Sequence, residues 1–542
     1  MPTDAPLLQV EGLHIPLPGG SERTYAVEDA SYTLANGEIL CLVGESGSGK
    51  SMTANAIMGL LPEHLTPTRG RILFRGRDLL TLSEAELSRE RGRSIAMIFQ
   101  EPLSALNPLM RIGDQIAEVL EVHGEGDRAT RERRVAELLD FVGLPDPALL
   151  RDAYPFRLSG GQRQRVMIAM ALALEPAILV ADEPTTALDV TTQAQILELI
   201  RRIQRAKGMG VLFITHDFGV VADIADRVAV MEKGRVVEQG RAADVLDRPR
   251  HPYTRRLIAA VPHREDAATK APPSGPSLLE VRNLSKTYRP GGGLFTRPRV
   301  VRALDDVSFT LRRGETLGVV GESGSGKSTL GRCILKLLSA DAGEIRFQGR
   351  DIVPLSPRQF RPLRRHLQMV FQDPFASLNP RQTVGRILSD GPRANGVSAT
   401  AAVARARELL ELVGLDASAI DRYPGEFSGG QRQRIGIARA LALDPSLLVA
   451  DESVSALDVS VQAQVLELLK ELQVRLDIGI IFITHDLRVA AQICDRIAVM
   501  QNGRIVESGT PAQVFDAPEH AYTRRLVDAI PGLHWDPRAA VA

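Results

Sequence analysis

Short apolar runs that stop abruptly at small or polar residues recur along the chain. Ile39-Leu-Cys-Leu-Val43 and Leu317-Gly-Val-Val320 run into glycine-rich stretches, while Ile95-Ala-Met-Ile-Phe99 and Leu367-Gln-Met-Val-Phe371 run into a glutamine. Ala177-Ile-Leu-Val-Ala181 and Ser446-Leu-Leu-Val-Ala450 end in an Asp-Glu pair. Val211-Leu-Phe-Ile-Thr215 and Ile480-Ile-Phe-Ile-Thr484 end in His-Asp. Runs this short and this uniformly apolar predict strands buried on both faces of a largely parallel sheet. Leu7–Leu17, Leu278–Tyr288, Gly70–Phe74 and Gly343–Phe347 read as further β segments. Helices are predicted after each glycine-rich stretch and roughly over Ile112–Gly143 and Val384–Gly414. The stripe Ile196, Leu199, Ile200, Ile203 has helical spacing and predicts a helix with one face on the sheet. Val166–Leu174 is apolar all round, so a buried helix is expected there, stopped by Glu175-Pro176. Strands alternating with helices make the fold class α/β.

The same order of elements occurs twice. Lys327 follows Lys50 by 277 residues, and the offset then settles at 269 for Ser159 and Ser428, Asp182 and Asp451, His216 and His485, and Tyr253 and Tyr522. Two homologous halves are therefore expected, with a few extra residues early in the first. The join is read as a short Pro/Ala/Ser-rich linker, so the domains are placed at 1–263 and 278–542 with a linker at 264–277. A second loop, Arg289–Pro298, interrupts the opening hairpin of the second half.

Composition narrows the classes. At 542 residues the chain is too long for one core. With 44% apolar and 24% charged residues and a formal net charge of zero, it reads as a soluble globular protein with no bulk polyanion partner announced. No stretch approaches a membrane span, and the N-terminus lacks the parts of a signal peptide. Cys41, Cys333 and Cys494 have neither metal-ligand spacing nor a disulfide pattern, which fits a reducing compartment.

The chemistry lies where the apolar runs stop. Gly44, Glu45, Ser46, Gly47, Ser48, Gly49, Lys50 and Ser51 spell a P-loop, and Gly321, Glu322, Ser323, Gly324, Ser325, Gly326, Lys327 and Ser328 repeat it letter for letter. Strand, glycine loop and helix together wrap an anion in backbone amides at a helix N-terminus. Ser159-Gly160-Gly161-Gln162 and Ser428-Gly429-Gly430-Gln431 each open a buried helix, whose first amides call either for a bound anion or for plain N-capping by the serine. Asp182 and Asp451, delivered by buried strands, are candidates to hold Mg²⁺; Glu183 and Glu452 beside them can orient and deprotonate a water. Gln100, Gln372, His216 and His485 are predicted at the same strand-end edge of the sheet, where open α/β folds bind ligands.

These motifs, with Thr186-Ala-Leu-Asp189 and Ser455-Ala-Leu-Asp458, appear in the order found in ABC transporter nucleotide-binding domains, and the resemblance covers nearly the whole chain. Gln100-Glu-Pro-Leu-Ser-Ala-Leu-Asn-Pro108, Gln372-Asp-Pro-Phe-Ala-Ser-Leu-Asn-Pro380, His251-Pro-Tyr-Thr-Arg-Arg-Leu257 and His520-Ala-Tyr-Thr-Arg-Arg-Leu526 narrow it to the ATPases of oligopeptide, dipeptide and nickel importers. The chain resembles versions that fuse both ATPase domains, such as those of glutathione or microcin-type peptide importers.

The resemblance implies two tandem P-loop ATPase domains, each a mixed sheet core with a helical subdomain and an N-terminal antiparallel β region, followed in the second by an oligopeptide-transporter-type extension. It implies a head-to-tail pairing within the chain. Lys50 and Ser51 would then bind phosphate and Mg²⁺ with Ser428-Gly429-Gly430 closing over them, and Lys327 and Ser328 would pair likewise with Ser159-Gly160-Gly161. Glu183 and Glu452 would be general bases, His216 and His485 γ-phosphate contacts, and Gln100 and Gln372 sensors that also reach the metal held by Ser51, Asp182, Ser328 and Asp451. Both ATP sites are expected to be competent. Tyr288 stands where the family stacks an aromatic ring on adenine; Leu17 is its counterpart in the first half, with Tyr25 as a substitute there. Ser453 replaces the proline found as Pro184. No cysteine lies between Thr254 and Leu278, so the iron–sulfur cluster of some relatives is expected to be absent. The implied partners are two integral-membrane permeases and, indirectly, an extracytoplasmic solute-binding protein, at the cytoplasmic side of the inner membrane, with no nucleic acid. The alternative, a soluble tandem ABC ATPase acting on ribosomes or nucleic acid, is disfavoured by the short linker and the isolated cysteines.

Overall fold

The structure, a computed structural model, describes residues 5–20, 23–186, 188–262, 275–289, 300–455 and 457–537. Most of the predicted linker and of the Arg289–Pro298 loop, together with Ala187 and Ala456, lies outside the described residues. Contacts gather the chain into two compact units, built mainly from residues 1–261 and 262–530.

The first unit runs β1 (Leu8–Pro16), β2 (Tyr25–Leu34), β3 (Ile39–Val43), α1 (Lys50–Met58), β4 (Arg69–Phe74), β5 (Arg77–Asp78), α2 (Glu84–Glu90), β6 (Ile95–Ile98) and α3 (Pro102–Ala105). It continues through α4 (Ile112–Val122), α5 (Arg128–Phe141), α6 (Pro147–Arg151), α7 (Gly160–Ala171), β7 (Ile178–Asp182), α8 (Val190–Lys207) and β8 (Gly210–Thr215). It closes with α9 (Phe218–Ile224), β9 (Arg227–Glu232), β10 (Arg235–Arg241), α10 (Ala242–Asp247) and α11 (Pro252–Ala259).

The second unit repeats the plan: β11 (Ser277–Tyr288), β12 (Val301–Arg312), β13 (Thr316–Val320), α12 (Lys327–Ile334), β14 (Ala342–Phe347), β15 (Arg350–Asp351), α13 (Pro357–Phe360), β16 (Leu367–Val370) and α14 (Pro374–Ser377). Then come α15 (Val384–Ala394), α16 (Ala399–Leu412), α17 (Gly429–Leu441), β17 (Leu447–Asp451), α18 (Val459–Leu476) and β18 (Gly479–Thr484). The last elements are α19 (Leu487–Ile493), β19 (Arg496–Gln501), β20 (Arg504–Gly509), α20 (Pro511–Asp516) and α21 (Ala521–Asp528).

Each unit holds two sheets. In the first, an antiparallel sheet has the order β2-β1-β4-β5, and a six-stranded sheet has the order β10-β9-β3-β8-β7-β6. In the larger sheet all pairs are parallel except β10 with β9. Every residue of β3, β7 and β8 is buried, as the uninterrupted apolar runs require. One core joins the two sheets, with Leu8, Val10 and Ile72 from one, Leu40, Val180 and Ile214 from the other, and Ala54, Ile57 and Met58 of α1 between them. The P-loop helix is therefore wedged between the layers, and its start is held where the parallel strands end. The second unit has the same arrangement, with Leu330, Cys333 and Ile334 of α12 in the wedge.

Three predicted helical segments are broken or shorter than expected. The segment 112–143 breaks into α4 and α5 because Gly124 and Gly126 take left-handed φ of 70° and 65°, after which Asp127 caps α5 by accepting from Thr130 N at 2.8 Å. Gly396 and Ser398 break the matching segment of the second unit. The helix expected to reach Leu174 ends at Ala171, and Glu175 turns the chain with φ of 54°.

Ile196, Leu199, Ile200 and Ile203 of α8 are all at most 3% exposed. Ile200→Ala is expected to destabilise the first unit by about 2–5 kcal/mol in denaturant unfolding, the usual cost of emptying a sealed core position. Glu198→Ala, on the exposed side of the same helix, should change little.

Candidate functional site

The loop before α1 is shaped by contact with the opening hairpin. Gly49 has φ of 106°, and a Cβ on it would lie 2.6 Å from the Ala26 carbonyl oxygen, so only glycine fits. Gly326 meets the carbonyl of Ala303 in the same way. No side chain caps either α1 or α12, and an uncapped helix start is a suitable place for an anion. Ser48 Oγ and Ser325 Oγ are buried in the two loops with no hydrogen-bond partner. Lys50, 5% exposed, donates from Nζ to the carbonyls of Gly44 (2.7 Å) and Glu45 (2.9 Å), and Lys327 donates to those of Gly321 (2.6 Å) and Glu322 (2.8 Å). Helix starts without side-chain caps, buried hydroxyls without partners and an ammonium parked on neutral carbonyls together suit a polyphosphate.

Three predicted side chains converge beside this cradle. Glu183 Oε2 accepts from Gln100 Nε2 at 2.9 Å and from Thr186 Oγ1 at 3.0 Å, and its Oε1 lies 3.2 Å from His216 Nδ1. In the second unit Gln372 Nε2 donates to Glu452 Oε2 at 2.8 Å, while His485 Nδ1 stands off at 3.7 Å from Oε1. Both glutamates sit at left-handed φ, 45° and 46°. For a non-glycine residue just past a strand end this is a strained conformation, of the kind held at functional sites by the structure around it.

The neighbouring aspartates are buried and bonded, with Ser51 Oγ donating to Asp182 Oδ1 at 3.0 Å and Ser328 Oγ to Asp451 Oδ1 at 2.9 Å. Burial pushes the Asp182 carboxyl up to about 6; the Ser51 bond and Lys50 resist, and the Glu183 charge adds to the rise. Burial opposes ionisation of Glu183 as well, but His216 and Lys50 outweigh it and hold that carboxyl at about 2. The same split occurs in the second unit, where Asp451 is raised, chiefly by burial, and Glu452 lowered despite it. An ionised glutamate is ready to accept a proton from water, and an aspartate that resists ionising is relieved by a cation. Among the described residues no group of three or more His, Cys, Asp or Glu could hold a metal alone. Mg²⁺ at Ser51 and Asp182 would thus have to complete its shell with phosphate oxygens and water, which is its ordinary manner of binding.

The two Ser-Gly-Gly-Gln signatures, at Ser159–Gln162 and Ser428–Gln431, play a local part within their own units. Ser159 Oγ accepts from Gln162 N (3.3 Å) and Gln162 Oε1 accepts from Ser159 N (2.9 Å), a reciprocal cap on α7; Ser428 and Gln431 do the same for α17. A side chain on Gly161 would run into Thr192, and one on Gly430 into Val461, so packing against the following helix by itself demands these glycines. Tyr288, at the end of β11, is 38% exposed. Leu17 instead packs on the core, and Tyr25 lies edge-on to His14 with ring centroids 5.5 Å apart.

One pair of contacts was not foreseen. Tyr253 Oη accepts from Glu45 N at 3.1 Å and Tyr522 Oη accepts from Glu322 N at 3.0 Å, so each C-terminal Tyr-Thr-Arg-Arg-Leu motif braces the entrance of its own unit's P-loop. The signal was the motif's repetition; its target, some 200 residues earlier, is visible only in the fold.

A sheet with P-loop helices, Asp-Glu strand ends, Gln and His at one edge, and a second antiparallel sheet over the P-loop defines an ABC-type nucleotide-binding domain, present twice. Comparison with known proteins agrees. The family described as ABC transporter matches residues 27–186 and 304–455, and the oligopeptide/dipeptide transporter C-terminal region matches 237–292 and 506–540. The chain is 48% identical over 557 residues to the glutathione import ATP-binding protein GsiA of Escherichia coli O157:H7, covering 97% of this chain and 89% of that protein. Against GsiA of Salmonella typhimurium it is 48% identical over 560 residues with the same coverage. The chain belongs to the ABC transporter family, as an ATP-hydrolysing, energy-coupling subunit of an importer. No helix among the described residues is long and apolar enough to cross a membrane.

The sign of the Asp182 shift is testable. Its folded value lies above the ordinary 3.8, so ionisation opposes folding: the penalty is absent below 3.8, grows up to about 6 and is complete above it. Asp182→Asn should therefore raise the unfolding free energy of nucleotide-free protein at pH 8, and the gain should shrink towards pH 4.

Proposed function

We propose that residues 1–263 and 278–542 form two ATPase domains, joined by a linker at 264–277, that pair head to tail and together hold two MgATP. The observation that carries this reading is the Gln–Glu–His cluster built against each P-loop, Gln100–Glu183–His216 and Gln372–Glu452–His485. Lys50 and Lys327 leave the loop carbonyls for the phosphates, and the amides of α1 and α12 take the remaining oxygens. Ser51 and Asp182, or Ser328 and Asp451, with Gln100 or Gln372, would hold Mg²⁺, which would supply neutralisation of phosphate charge. Glu183 or Glu452 accepts a proton from water as the water oxygen bonds to the γ-phosphorus and the bond to the leaving ADP oxygen breaks. His216 and His485 contact the γ-phosphate. Ser428-Gly429-Gly430 and Gln431 close over the nucleotide on Lys50, and Ser159-Gly160-Gly161 and Gln162 over that on Lys327. Tyr288 stacks on adenine in one site and Tyr25 serves in the other.

In this reading ATP closes the two domains, and product release reopens them. The Gln100 and Gln372 loops pass the movement to two permease subunits at the cytoplasmic face of the inner membrane, fed by an extracytoplasmic solute-binding protein. No iron–sulfur cluster and no nucleic acid take part. The relatives' role in glutathione import supports a peptide as the transported class.

Glu183→Gln combined with Glu452→Gln should bind ATP yet lose turnover by about 10²–10⁴-fold, the usual worth of a general base. Each single substitution should also impair turnover. Wild-type steady-state ATPase activity in the double variant would overturn the assignment of the bases. Affinity purification from membranes should recover two multi-spanning proteins with the chain.

A further inference from the structure

The two P-loops are identical, but the hairpins leading to them differ at a point that faces the loop. Both hairpins touch their loops at the same place, the Ala26 carbonyl on Gly49 and the Ala303 carbonyl on Gly326. Three residues back from these alanines stand Arg23 in the first unit and Val300 in the second. Arg23 reaches over the loop, and its Nη2 donates to the Gly47 carbonyl at 2.6 Å. Val300, 56% exposed, has nothing to donate. Among the described residues that follow Val300, Arg302 stands at the position of Tyr25 and pairs with Asp305 at 3.7 Å.

A carbonyl is a neutral acceptor, so the bond to Gly47 spends one donor of Arg23 and leaves its charge to be met. Beside Arg23 opens a cleft of about 460 Å³, giving the guanidinium room to turn. The carboxylates in that cleft have partners, Glu28 with Arg235 at 2.6 Å and Glu232 with Arg256 at 3.4 Å. A planar cation held on the outer rim of a phosphate loop fits an oxyanion better than a peptide oxygen, because charge-assisted bonds are roughly twice as strong as neutral ones.

We propose that Arg23 is a phosphate contact of the first nucleotide site, with no counterpart among the described residues of the second, and that it raises the affinity of the first site for MgATP. This rests on the reading of both P-loops as ATP sites.

The test is calorimetric titration of the full chain with the magnesium complex of β,γ-imido-ATP. Lys327→Ala leaves the first site to be read alone, and Lys50→Ala leaves the second. Arg23→Ala should weaken the first site by about 5- to 30-fold and leave the second unchanged. Arg23→Lys should keep most of the affinity. Arg23→Gln, which still has a donor for the Gly47 carbonyl but no charge, should fall with Arg23→Ala and show a flatter dependence on salt than the wild type. If Arg23→Gln binds like the wild type, Arg23 only braces the loop and the proposal is overturned. Equal affinity in all Arg23 variants overturns it as well. Binding that survives both P-loop lysine substitutions would instead refute the ATP-site reading, and with it the proposal.

Discussion

The amides at the start of α1 and α12 have no side-chain caps, and the helices that carry them are wedged between two sheets. A helix N-terminus is normally finished by a Ser, Asp or Asn side chain, and α2, α5 and α9 of the first unit are all finished in that way. At the P-loops the cap is withheld, and the loop serines Ser48 and Ser325 are buried without partners. The rest of each unit is arranged around these uncapped helix starts. The parallel strands end beside them, the antiparallel hairpin presses a carbonyl against Gly49 or Gly326, and Tyr253 or Tyr522 pins the loop entrance from the C-terminal side.

Adjacent carboxylates at the strand ends divide their work by environment. Asp182 and Glu183 are neighbours on one chain, yet one is pushed up by burial and the other held down by His216 and Lys50. The divergence follows from direction. A chain in extended conformation would send the two side chains to opposite faces, whereas the left-handed turn at Glu183 aims its carboxylate into the cluster of Gln100, Thr186 and His216. Backbone strain at one residue thus separates an acid suited to meeting a cation from a base suited to meeting a water.

Duplication has left two copies of this machinery with unequal surroundings. The P-loops, signatures and Asp-Glu pairs match residue for residue, but Leu17 answers to Tyr288, Arg23 to Val300 and Tyr25 to Arg302. His216 approaches its glutamate to 3.2 Å and His485 to 3.7 Å. The sequence differences lie in the opening hairpins, while the Gln, Asp-Glu and His residues keep their identities in both units.

The sequence by itself determined the α/β class, the duplication and the candidate side chains that the fold gathers beside each P-loop. These follow from local physics: uniformly apolar runs bury as parallel strands, glycines permit a phosphate loop, and repeated spacing exposes homology. The helix break at Gly124 and Gly126 was also written there, in two glycines set in the polar stretch 123–134. The tertiary structure alone decided which distant groups meet, because Gln100 and His216 reach Glu183 across 83 and 33 residues. It also decided that Gly161 is required by Thr192, that Tyr253 serves the P-loop, and that Arg23 leans over Gly47 while its counterpart cannot. Each of these depends on how layers stack and strands register, which no single segment encodes.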